Sequence, residues 1–203
     1  MTTQATETSG RSLAARNATF AYVAVAGLIL FLMMLLGLVM RMTQVQWQPI
    51  EPNLFYVLMT MHGAGMVGIA GLGGTAIMWY FVGKYVPVST AVFLANLVFF
   101  LAGAVLILGA GFIGGFAAGW TFLFPLPAIS GDAWSVNAAA AYLVGLLLMG
   151  VGFLLFYLDV ARAVISVYGN VGNARRRTVA GPLRAAWSRP KQTDLVPGKG
   201  QFR

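Results

Sequence analysis

The sequence predicts an all-α, polytopic membrane protein with four transmembrane helices. Three observations carry that prediction. The 203 residues are 59% apolar and only 9% charged, with a mean hydropathy of +0.81, whereas soluble domains carry about 25% charge and about 45–50% apolar residues. A chain of this size exposes too much surface for one core to absorb the excess, and lipid as solvent removes the conflict. Four separate apolar stretches each exceed the roughly 20 residues that cross about 30 Å of hydrocarbon. No polar–apolar alternation runs through them, which excludes a membrane β-barrel.

The stretches are Phe20–Met40, Leu54–Gly83, Ala91–Ala118 and Ala133–Ile165. In lipid the backbone must satisfy its own hydrogen bonds, so all four read as helices despite their many glycines. The first is too long for the core of a signal peptide and lacks a small-x-small cleavage site, which makes it a retained anchor. Met1 and the polar ends of the chain point to a complete chain. Gly111, Gly115 and Gly119, four residues apart, suggest close helix packing by the third span. The prolines in Phe124-Pro125-Leu126-Pro127 forbid helix beyond it. The expected organisation is a polar tail over residues 1–19, a four-helix bundle over 20–168 and a basic tail over 169–203.

Charge sets the orientation. Of the thirteen Lys and Arg residues, four spans put all but Arg41 on one face. The positive-inside rule then predicts a protein of the cell membrane with both termini cytoplasmic. It also explains the net charge of +8 without nucleic-acid binding. The basic tail is expected to lie on anionic lipid or on a partner subunit. With no Cys and a single His, the chain has no disulfide, thiol nucleophile, Cys-bound metal or His-rich metal site of its own.

His62 is that single His, roughly 13 Å below the outer end of the second span. An imidazole at that depth is a functional hypothesis by default. Three readings stand open. Neutral imidazole suits a haem-iron ligand. A proton relay would want further titratable groups at depth. A plain helix–helix hydrogen bond needs neither. The run Gly63, Gly65, Gly68, Gly71, Gly73 and Gly74 fits close approach to a flat group or to another helix. Arg41 ends the first span on the outer side, where it could pair with Glu51, hold an anionic group or snorkel. Asp159 and Arg162, three residues apart, suggest an ion pair on a helix surface.

Four strings of residues, in order along the chain, resemble one family. Thr60-Met61-His62-Gly63 resembles the second helix of subunit I of the haem–copper oxygen reductases. Met40-Arg41-Met42 with Gln44 resembles the end of that subunit's first helix. Gly119-Trp120-Thr121 followed by Phe124-Pro125-Leu126 resembles an outer segment of the family. Leu158-Asp159-Val160-Ala161-Arg162 is similar to the close of the fourth helix in the B-type branch. The resemblance covers about residues 18–165, the first four helices of the family subunit. It implies that His62 is an axial ligand of a low-spin haem, that Arg41 meets the macrocycle's periphery, and that Gly63, Trp120 and Thr121 lie close to the haem.

The remaining haem ligands and all copper ligands sit on later helices of the family. The resemblance therefore implies no copper site in this chain and no dioxygen reduction by it alone. Leu123 and Phe124 depart from the family's segment. The short loop Lys84–Thr90 lacks the acidic residue that opens a proton channel in the A-type branch. The implied function is a membrane electron-transfer subunit of a respiratory terminal-oxidase-like complex. Other membrane subunits would supply the missing helices and ligands, and an electron-donor protein would reduce it. The rival is a haem-free structural or assembly subunit derived from the same fold. A small transporter is disfavoured by the near absence of deep charge and of an inverted repeat.

Overall fold

A computed structural model describes residues 2–119 and 133–169, with side chains from residue 13 onward. It contains four helices, α1 (Thr2–Gln44), α2 (Pro52–Val82), α3 (Thr90–Phe112) and α4 (Val136–Tyr168), and no strand among the described residues. All four are long and apolar enough to cross a membrane.

Local chemistry sets the helix ends. Glu51 caps α2 by accepting the Leu54 N–H at 3.0 Å, and Pro52 follows, where its missing N–H costs nothing. Ser89 and Ser135 take the N–H groups of Val92 and Ala138 at 3.3 and 3.2 Å and so open α3 and α4. α1 closes in a Schellman arrangement, with Gln46 N–H bonded to Thr43 O, Trp47 N–H bonded to Met42 O, and Gln46 at φ 61°.

Two expectations about boundaries change. Helix α1 begins at Thr2, so regular backbone runs through the polar stretch before the first span; Ala and Arg in that stretch are good helix formers. Helix α3 stops at Phe112 rather than Ala118, because the chain turns left-handed at Gly115 (φ 68°) and again at Gly119 (φ 87°). Those two glycines therefore do not form a helical packing stripe with Gly111. The close crossing of α3 lies deeper, at Gly103. A Cβ there would stand 2.5 Å from Gly145 O on α4, and one on Gly145 would stand 2.7 Å from Gly103 O. Backbones that near leave no room for side chains.

Two buried clusters fill the bundle. One gathers Tyr22, Leu72, Trp79, Phe93, Phe100 and Phe156 at the end where α1 starts and α2 finishes. The other gathers Val57, Met61, Ile107, Phe116, Ala139 and Tyr142 at the opposite end. In the first, the Phe93 ring is stacked between Tyr22 (centroids 3.9 Å, 8°) and Trp79 (4.4 Å, 8°). The Tyr22 hydroxyl donates to Phe93 O at 2.6 Å and accepts from Asn96 Nδ2 at 2.9 Å. Packing falls unevenly on the helices. Only 6% of the most apolar window of α1 is buried within the chain, against 33% for α3.

The chain divides into two compact units, Met1–Ala161 and Arg162–Arg203. Within the described residues the second is the end of α4, where Ser166 Oγ donates to Ala163 O at 2.8 Å. The expected Asp159–Arg162 ion pair is not formed. The Asp159 carboxylate instead accepts the Ser89 N–H at 2.8 Å and ties α4 to the start of α3. That donor is an orphan at a helix N-terminus, where a carboxylate is favoured.

Candidate functional site

His62 lies about a third of the way along α2 and turns its ring onto α1. Its Nδ1 is 2.8 Å from the backbone oxygen of Met33. Since a carbonyl only accepts, Nδ1 carries the proton, and in the neutral imidazole Nε2 then keeps its lone pair. Nε2 has no hydrogen-bond partner among the described residues. The approach depends on Gly37, where a Cβ would stand 3.1 Å from His62 Cε1 and 3.6 Å from Nδ1. One turn earlier, Met33 lies over Gly65 of α2, where a Cβ would overlap its sulfur. Met33 and Gly37, four residues apart on α1, thus interlock with His62 and Gly65 on α2.

Arg41 continues that stripe by another four residues, about 6 Å further toward the C-terminal end of α1. It is exposed, and Nη1 donates to Gln44 Oε1 at 2.8 Å. It does not pair with Glu51, which is engaged in capping α2. Gly63 lies beside His62 on α2, half-buried. Trp120 and Thr121 lie outside the described residues. The segment leading to them is tied down, since Thr60 Oγ donates to Tyr56 O at 2.7 Å and accepts the Gly119 N–H at 3.0 Å. Thr60 is two residues from His62, some 200° around the helix. The anchor of the outer segment and the imidazole therefore occupy opposite faces of α2.

The glycine run of α2 serves mainly helix packing. Gly65 receives Met33, Gly68 faces Phe100 and Gly71 faces Phe153, while Gly73 and Gly74 have open space. Two cavities are present near these helices. A groove of about 1120 Å³ lies at the end carrying Arg16 and Lys84. An apolar cavity of about 80 Å³ lies between Met33, Met61, Gly65 and Phe100. His62 lines neither.

Met33 and Gly37 escaped the sequence reading. Met33 acts through its backbone oxygen, which no side-chain pattern reveals. Gly37 stands four residues before Arg41, and that spacing was the one available signal.

The fold and site define a helical, multi-pass membrane protein with one imidazole clamped by its Nδ1 and bare at its Nε2. The family model for cytochrome c and quinol oxidase polypeptide I matches residues 17–184, and the chain belongs to that family. It is thus an oxidase-related membrane subunit. No curated protein and no solved structure matches the chain.

Proposed function

We propose that this chain is a membrane electron-transfer subunit of a respiratory terminal-oxidase-like complex, related to the B-type branch, which holds a low-spin haem through Nε2 of His62. The carrying observation is the division of labour on the imidazole. Metal-bound His residues hold their other ring nitrogen on a carbonyl or carboxylate, which fixes the tautomer and raises basicity. The Nδ1–Met33 contact is of that kind. The donor set fits the group, because haem iron is commonly held by an imidazole nitrogen, which the bare Nε2 would offer. When bound, the haem supplies one-electron redox chemistry.

The chain's own residues do the rest. Met33 O and Gly37 fix the imidazole plane. Arg41, on the same stripe of α1, offers a guanidinium to an anionic or polar group at the rim. Gly63 borders His62 on α2, and the family resemblance adds Trp120 and Thr121, whose segment starts from the Thr60 anchor on the other face of α2. Neither cavity provides a second wall beside His62. That wall and the remaining ligands would come from a partner chain packed on α1 and α2. In the cell membrane both termini face the cytoplasm, and the basic tail rests on anionic lipid. An electron-donor protein acts from the outer side.

A haem-free structural subunit is the second reading. It draws on the same contact, since a ring seated on Gly37 and bonded to a backbone oxygen also serves as a helix–helix lock. Optical spectra of the purified complex separate the two. The proposal expects a low-spin haem spectrum that changes on reduction and is lost in His62→Ala, while the variant still inserts. A colourless wild-type complex, or a His62→Ala complex with unchanged absorption, would establish the structural reading instead.

A further inference from the structure

The groove at the opposite end of the bundle belongs to none of this. It lies between the start of the apolar part of α1, the last turn of α2 and the loop into α3, and it has a volume of about 1120 Å³. We infer that it binds one anionic glycerophospholipid, with the phosphate held by Arg16 and Lys84 and an acyl chain laid along Phe20 and Val23.

Four observations support this. First, the groove has two cations on its wall, Arg16 and Lys84, and neither forms an ion pair with a described carboxylate. Glu51 caps α2 at the other end, and Asp159, bonded to the Ser89 N–H at the groove's edge, offsets one of the two charges at most. Second, Lys84 is positioned rather than loose, with Nζ 4.3 Å from the Tyr80 ring centroid and 5.1 Å from that of Phe81. Third, Trp79 gives the groove an apolar wall held in place by stacking on Phe93, with ring centroids 4.4 Å apart. Fourth, Phe20 is 73% and Val23 60% exposed on the groove's wall.

A soluble anion has no use for that apolar surface. A diacyl lipid matches both halves, because its charge sits at the membrane surface and its chains run into the apolar belt. Basic pockets between transmembrane helices are where anionic headgroups bind. The inference is independent of the reading of His62.

The full-length protein is reconstituted in nanodiscs of mixed phosphatidylglycerol and phosphatidylcholine. It is washed at high salt to strip lipid held only by surface charge, released into detergent and examined by native mass spectrometry. The wild type is expected to retain one phosphatidylglycerol and no phosphatidylcholine. Each cation near an anionic headgroup is worth roughly a factor of five in affinity. The double variant Arg16→Gln, Lys84→Gln should therefore bind about 30-fold more weakly. Both side chains are exposed, so the fold tolerates the change, and Arg16→Lys, Lys84→Arg should retain the lipid. Equal retention by the Gln variant, loss from the charge-keeping variant, or phosphatidylcholine held as well as phosphatidylglycerol would overturn the inference. So would displacement of the lipid by millimolar inorganic phosphate, which would identify a free-anion site.

Discussion

The two ends of the bundle solve the same problem differently. At the basic end, Tyr22, Phe93 and Trp79 stack face to face, and Tyr22, Asn96 and Phe93 O close a buried hydrogen-bond chain. Asp159 fastens α4 to Ser89 there. Around His62, α1 and α2 meet through Met33, Gly37 and Gly65 and a single hydrogen bond to the imidazole. The first arrangement ties all four helices together. The second leaves a ring nitrogen unpaired on the helix pair that includes the sparsely packed α1. Large side chains fill the one, and small residues line the other.

Mutations should separate the two ends. Phe93→Ala removes the middle ring of the stack and should destabilise the bundle by about 3–5 kcal/mol, read from denaturant titration in detergent. It should leave the spectrum of any bound haem unchanged. Gly37→Ala should do the reverse. The added methyl sits 3.1 Å from Cε1 of a side chain that can shift, so the stability cost stays near 1 kcal/mol. The imidazole is displaced from Met33 O, and the haem retained through purification should fall. A Gly37→Ala variant that keeps full haem content would disconnect the stripe from the site.

Thr60→Val deletes the acceptor of the Gly119 N–H and releases Gly119 from α2. Hydrogen bonds between membrane helices average about 0.6 kcal/mol and reach about 1.7 kcal/mol, so a loss in that range is expected. It should be accompanied by faster amide exchange at Gly119. The smallest effect should come from Gln46→Gly. A non-glycine residue at φ 61° pays for its Cβ, and the extra chain entropy that glycine loses on folding, roughly 0.5–1 kcal/mol, offsets most of the relief. Relieving that cost should raise the midpoint of unfolding slightly, without touching either end's chemistry.

Much of this was legible along the chain. Four helices follow from apolar length alone, because lipid forces each backbone to bond within itself. Ser89, Ser135 and Glu51 cap helices by chemistry that is local in sequence. His62 stood out because one imidazole in an apolar span is costly wherever it points. The family was legible from short strings on successive helices, and the family match extends through all four.

Other features depend on which faces meet, and that is decided only when helices dock. Asp159 had an Arg three residues away, yet it bonds a backbone N–H 70 residues distant in sequence. Gly111, Gly115 and Gly119 had helical spacing, yet two of them turn left-handed and end the helix. Residue types thus determined that this chain spans a membrane and carries one deep imidazole. Tertiary packing decided that Met33 O claims Nδ1, that Gly37 admits the ring, and that Nε2 stays free. A carbonyl has no signature in a residue pattern, and the partner of a glycine is known only from the helix laid against it.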